Sequence, residues 1–252
     1  MTRILTALKL GCLEISRNRT ALLLILVLPA LFETLIFITT PNRVVSFELA
    51  TLGAEESIDV SARAEAFVFM AVVAVAFIAG FAGLVLMQRS LDAQKRLVLN
   101  GFPIYQLFLS RLVSLLLLIL LVSIYTGCIV EAITRSHRFA GVLIGLALNG
   151  AVYGAYGLLI GALWKRSLES VLSIVLLTNI DVGWLQNPIF YTEATNRTII
   201  HYLPGYFPSQ VAMVAAFTDS SITNATVGAL LYFFILLFVA GGLAHHKLRA
   251  FA

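Results

Sequence analysis

Two carboxylates interrupt long apolar runs in this 252-residue chain: Glu33, four residues after Pro29, and Asp181. An ionised side chain at the centre of a bilayer costs roughly 2.5–3.5 kcal/mol on insertion-type scales, so an acid kept there has a use. It either lines a path for a proton, a cation or a polar cargo, or it is hydrogen-bonded and holds helices together. Both readings are open for this pair. At ~1.5 Å per residue both lie about 18–20 Å from the same membrane face, so they share a depth. Glu131, at the end of another run and close to Arg135, reads as an interfacial residue.

Other chemistries find no residues to carry them. No G-x-x-x-x-G-K-[ST] run is present to cradle ATP phosphates, and neither H-E-x-x-H nor G-x-S-x-G occurs. The pair His245 and His246 has no third ligand near it in sequence, so no metal site is expected. Cys12 and Cys128 fall in different compartments of the layout below and read as small apolar fillers. The chain reads as a non-enzyme with no cofactor of its own.

The elements that position the acids are six apolar stretches, Thr20 to Thr40, Ala66 to Met87, Leu112 to Ile133, Ala140 to Trp164, Ser170 to Gln186 and Ala225 to Ala244. Each approaches the ~20 residues that cross a ~30 Å hydrocarbon core. With 60% hydrophobic and 12% charged residues, the composition lies far from the roughly 25% charged of an average soluble domain. The expected fold is an all-α integral membrane protein of six transmembrane helices, forming a single domain over residues 1–252.

Charge orients it. Arg3, Lys9, Arg17, Arg19, Arg89, Lys95, Arg96, Arg111, Lys165, Arg166, Lys247 and Arg249 fall on one side, twelve basic residues. Arg43, Arg63, Arg135, Arg138 and Arg197 fall on the other, five in all, beside Glu48, Glu55, Glu56, Asp59 and Glu65. By the positive-inside rule both termini are cytoplasmic and the protein is a multi-pass protein of the cell membrane. The +4 net charge is spread along the membrane edges, so it reports orientation and not nucleic-acid binding.

Three further segments stand out. Residues 1–19 mix Ile4, Leu5, Leu8, Leu13 and Ile15 with basic residues, as an amphipathic helix on the inner surface would. The cytoplasmic loop 88–111 carries Leu91, Leu97, Val98 and Leu99 and is then broken at Asn100, Gly101 and Pro103, which suits a short helix able to pass a push to the spans. The region 187–222 sets Pro188, Pro204, Gly205 and Pro208 among Phe190, Tyr191, Tyr202, Tyr206 and Phe207, a pattern that suits broken interfacial helices. Gly150, Gly154, Gly157 and Gly161 form a small-residue stripe, matched by Ala76, Ala79, Gly80 and Gly83, for close helix approach.

This layout resembles the ABC-2 type permeases of ATP-binding-cassette exporters over essentially the whole chain. The likeness rests on the loop residues Arg89, Gln94, Lys95, Arg96, Leu97, Gly101, Pro103, Ser110, Arg111 and Leu112. Gln88-Arg89 and Leu91-Asp92-Ala93-Gln94 stand where the family has a Glu-Arg entry and a Gly-Thr-Leu-Glu-like run. The resemblance implies that the loop, with Arg89, Asp92, Gln94, Lys95, Arg96, Gly101 and Pro103, is a coupling helix docking on a separate ATPase that binds ATP and Mg2+. It implies that Pro188, Tyr202, Pro204, Tyr206 and Phe207 belong to a re-entrant outer region. It further implies that Glu33 and Asp181 border a path, and that two ATPase subunits and a second permease subunit, identical or sibling, complete the assembly among membrane lipids. The expected cargo is hydrophobic or amphipathic: a drug, antibiotic, peptide or lipid. A contrasting expectation is an ion-coupled secondary transporter or channel that uses Glu33 and Asp181 and needs no cytoplasmic partner.

Overall fold

The computed structural model describes residues 19–49, 57–88, 99, 101, 103–164, 167–193 and 197–249. In chain order these form helix α1 (Arg19–Thr39), strands β1 (Val44–Glu48) and β2 (Ser57–Ser61), and helices α2 (Ala62–Gln88), α3 (Ile104–Thr134) and α4 (Phe139–Leu163). Helix α5 (Ser167–Ile180) then runs into one wide π-helical turn, Asp181–Leu185. Three short helices follow, α6 (Pro188–Glu193), α7 (Arg197–His201) and α8 (Tyr206–Phe217), before α9 (Thr223–Arg249). Among the described residues, five helices are long and apolar enough to cross a membrane: α2, α3, α4, α5 with its π turn, and α9. Within α1 the apolar helix Ile25–Thr39 is shorter. The chain is therefore a helical protein of multi-pass membrane character. Helices satisfy their own backbone polar groups, as an apolar medium demands.

Proline inside α1 sets an exception to that rule. Pro29 has no N–H, so the carbonyl of Ile25 loses its helical donor. On the same turn the Leu26 carbonyl accepts the Tyr125 hydroxyl at 2.9 Å, which ties α1 to α3.

Helix α4 is the centre of the bundle, packed against α2, α3, α8 and α9. Small residues let it be. A Cβ on Gly157 would stand 2.1 Å from the Gly80 carbonyl oxygen, and one on Gly83 would stand 2.2 Å from the Gly154 carbonyl oxygen. At this crossing α2 and α4 touch backbone to backbone. The stripe serves a second neighbour as well, because Gly150 and Gly154 make room for Ile119 and Leu115 of α3. The glycines are consumed by packing within one chain.

One end of the bundle is covered by structure in the acidic stretch between the first two apolar runs. Strands β1 and β2 form an antiparallel hairpin with Val44 opposite Ser61. Phe47 and Leu49 are buried beneath it, and the Phe47 ring meets Phe217 of α8 edge-on at 6.1 Å. The guanidinium of Arg63 donates to the Thr40 carbonyl at 3.1–3.2 Å, and the backbone N–H groups of His137 and Arg138 donate to the carbonyls of Ala216 and Ala215, both at 3.0 Å. Glu65, expected in the loop, is instead buried in the first turn of α2 at 3% exposure.

At the opposite end, α3 begins at Ile104, eight residues before the apolar run that starts at Leu112. Pro103 is extended at φ −70°, ψ 131° and immediately precedes the helix, while Gly101 takes the left-handed φ of +78° that favours glycine. Arg111, read from sequence as a loop cation, consequently lies within α3, buried, with its guanidinium donating to the Met87 sulphur at 3.0 Å. Gln88 at the end of α2 donates to the Ser170 hydroxyl of α5 at 2.8 Å.

Candidate site within the bundle

Asp181 sits where α5 stops being an ordinary helix. Its carbonyl accepts the Gln186 N–H at 3.0 Å, the five-residue spacing of a π turn, and Pro188 two positions later has no N–H with which to continue the ladder. The turn points the carboxylate into the protein, where it is fully buried. One oxygen accepts the Tyr153 hydroxyl of α4 and, at 2.7 Å, the Gly205 N–H at the start of α8. The other accepts the Gln186 side-chain amide at 2.8 Å. A Cβ on Gly205 would come within 2.9 Å of this carboxylate, so glycine is required there by space. Asp181 thus joins α4, α5 and the α7–α8 corner through three donors.

Glu33 has a different environment. It lies on the buried face of α1 with Ile25, Pro29 and Ile36, at 2% exposure, and neither carboxyl oxygen has a hydrogen-bond partner among the described residues. Both acids stand fourteen residues beyond the first residue of their helices, counting 19 to 33 and 167 to 181. Their chemistry is unequal: the acceptors of Asp181 are occupied, whereas those of Glu33 remain available to a donor.

A buried polar group without a partner reduces stability by about 1–3 kcal/mol, so replacing one with an isosteric neutral side chain removes no contact. The Glu33→Gln variant is therefore expected to melt within about 1 kcal/mol of the parent, and Glu33→Leu no lower. Thermal unfolding of the purified protein in detergent checks this; a loss of several kcal/mol in both variants would show hidden partners for Glu33.

The other predicted residues are dispersed. Glu131 accepts from the backbone and hydroxyl of Ser136, and its carbonyl takes the Arg135 N–H, capping α3. Pro188 opens α6, Pro204 lies in the α7–α8 turn, Tyr202 is exposed and Tyr206 is buried. His245 and His246 are exposed on α9. Gly101 and Pro103 have been placed above, whereas Arg89, Asp92, Gln94, Lys95 and Arg96 of the loop, and the segment before Arg19, lie outside the described residues.

An aromatic column links the short helices to the last span. Ring centroids are 6.0 Å apart for Tyr191 and His201, 4.5 Å for His201 and Tyr206, 5.0 Å for Tyr206 and Phe207, and 5.9 Å for Phe207 and Tyr232. The Phe207 ring lies on Gly228 of α9, and the Tyr232 hydroxyl donates to the Tyr202 carbonyl at 2.7 Å. Burial, and then the neighbouring Tyr191, push the Tyr206 phenol well above its ordinary range.

Sequence reasoning missed Tyr153, Gln186 and Asn149, and it placed Glu65 outside the apolar runs. Asn149 donates to the Val72 carbonyl at 2.7 Å while its own oxygen is unpartnered. Asn149 and Gln186 carried the signal that marked the acids, a polar side chain within an apolar run. No protein-family model matches the chain, and no curated protein matches it significantly.

Proposed function

We propose that this chain is the membrane-spanning permease subunit of an ATP-binding-cassette exporter of the ABC-2 type, driven by a separate ATPase. The observation that carries the reading is the stretch between α5 and the last span. A π turn, three short helices and buried aromatics stand where a soluble loop would ordinarily be. Helix α8 has twelve residues, about 18 Å, too few to cross a bilayer, yet ten of them are buried against the bundle. In this reading α1 completes a set of six spans, both termini are cytoplasmic in the cell membrane, and α6–α8 re-enter from the outer face.

Residues 1–19 then lie along the inner surface, and the loop 88–111 couples the bundle to two ATPase subunits that hold ATP and Mg2+. A second permease subunit completes the pore. Glu33 lines the path as a free acceptor for a polar or cationic group on a hydrophobic or amphipathic cargo, while Asp181 holds the path's wall. Drug or antibiotic efflux is the cargo class this combination suits best.

The test is copurification with an ATPase and measurement of coupled hydrolysis. Charge reversal at Lys95 and Arg96 is expected to lower transport-coupled ATP hydrolysis at least ~5-fold at unchanged membrane abundance, since docking ion pairs become like-charge contacts. Unchanged coupling in that double variant removes the loop assignment. Absence of any copurifying ATPase, with transport that follows an imposed ion gradient and is lost in Glu33→Gln, would favour the ion-coupled alternative.

A further inference from the structure

Four buried oxygens around Asp181 have no hydrogen-bond partner among the described residues: Asn149 Oδ1, Thr178 Oγ1, Gln186 Oε1 and Ser209 Oγ, and none of the four residues is more than 2% exposed. Helix register gathers them. Gly141 and Gly145 of α4 meet Ala215 and Ala212 of α8, and Tyr153 and Gly205 meet at the Asp181 carboxylate, so Asn149 and Ser209 share the rung between. Gly80 of α2 meets Ile174 of α5, which brings Thr178 and Asp181, one and two turns further along, level with residues 72–76 of α2. At that level the Asn149 amide donates to the Val72 carbonyl at 2.7 Å.

The two amide oxygens cannot be exchanged for their nitrogens. Only Nδ2 of Asn149 can donate to a carbonyl, and only Nε2 of Gln186 can donate to the Asp181 carboxylate, so each amide keeps its oxygen for another contact. Charge then chooses the kind of contact. Asp181 brings a negative charge into the bundle, and its three donors, Tyr153, Gln186 and Gly205, are neutral. Water would answer the free oxygens and leave that charge unpaired, whereas a cation answers both. One carboxylate with two amide carbonyls and two hydroxyls is an all-oxygen set of single charge, which suits a hard monovalent ion better than a divalent or a softer metal. The backbone agrees: α5 leaves its regular ladder at Asp181, and the carbonyl end of an interrupted helix carries partial negative charge of the kind that holds cations in discontinuous transmembrane helices.

We propose that Asp181, Gln186 and Thr178, closed over by Asn149 and Ser209, form a binding site for a monovalent cation of the sodium class between α2, α4, α5 and α8. Bound there, the ion ties the π turn to the helices around it. The site goes beyond the exporter reading and does not require it, because the test uses the purified chain alone.

Thermal unfolding is measured in non-ionic detergent, in sodium chloride and in choline chloride at one ionic strength. Sodium is expected to raise the parent's melting temperature by about 3 °C over choline, and the rise should saturate with concentration. Asp181→Asn removes the charge and is expected to abolish the rise. Thr178→Val removes one oxygen and no existing bond, so it should melt with the parent in choline and need about 10-fold more sodium for half of the rise, while Thr178→Ser restores the parental half-point. Absence of a sodium effect in the parent, or a rise that Asp181→Asn keeps in full, overturns the site. Should Asp181→Asn fail to accumulate, an unchanged half-point in Thr178→Val overturns it equally.

Discussion

Replacing Gly157 with alanine is expected to destabilise the chain by about 3 kcal/mol, although glycine to alanine in a helix ordinarily stabilises by up to about 1 kcal/mol. The reason is position. The new methyl would sit 2.1 Å from the Gly80 carbonyl oxygen and 3.0 Å from the Leu84 nitrogen, and both neighbours are backbone of α2 that no rotamer change can move. Relief requires α2 and α4 to separate along the crossing where Gly83 and Gly154 also meet, so contacts on either side are lost with it. Gly242 on α9 is the control, because nothing lies within 4 Å of where its Cβ would go. There the same substitution should leave the melting temperature unchanged or raise it. Equal melting of Gly157→Ala and Gly242→Ala in detergent would show that the close crossing does not exist in the folded protein.

This contrast shows what apolar patterning made legible. The long apolar runs mark their helices to within a few residues in most cases, because length and hydropathy alone decide whether a segment can cross a bilayer. The small-residue stripe likewise announces close approach on α4. Which neighbour approaches was not written in the spacing: Gly157 and Gly161 meet α2, whereas Gly150 and Gly154 also admit α3. The β1–β2 hairpin was missed because its inward residues, Phe47 and Leu49, are few and the acids around them dominate the local pattern. Arg111 and Glu65 fall between the apolar runs by charge, yet each lies buried inside a helix, Arg111 donating to the Met87 sulphur and Glu65 with one carboxyl oxygen unpartnered among the described residues.

The two acids were legible as a pair and not as individuals. Position along a helix follows from counting residues, and each acid stands the same distance, fourteen residues, from the start of its helix. What each faces depends on elements far away in sequence: Tyr153 and Gly205 for Asp181, the α1 contacts with α2 and α3 for Glu33. Hydropathy carries no information about such partners. The same limit applies to Gln186, whose amide completes the Asp181 cluster only because a π turn swings it back.

Asp181 is therefore where chemistry and architecture can be separated by experiment. Asp181→Ala leaves the Tyr153 hydroxyl, the Gly205 N–H and the Gln186 amide without an acceptor in a fully buried place, and a combined loss of about 4 kcal/mol is expected because the three act as one cluster and their costs do not simply add. Asp181→Asn should lose no more than about 1 kcal/mol. Its oxygen can take the donors from Tyr153 and Gly205, and its amide can donate to Gln186 once that side chain turns its own oxygen inward. That oxygen is buried without a partner in the parent, so the turn costs no existing bond. Under the exporter reading proposed above, a stable Asp181→Asn with parental transport, beside an Asp181→Ala that fails to accumulate, would assign the residue to a structural role in the wall of the proposed path. Under the same reading, an Asp181→Asn protein that is abundant and stable but changed in cargo range would require the negative charge itself, and the proposed path would then have to pass the α4–α5 corner as well as Glu33.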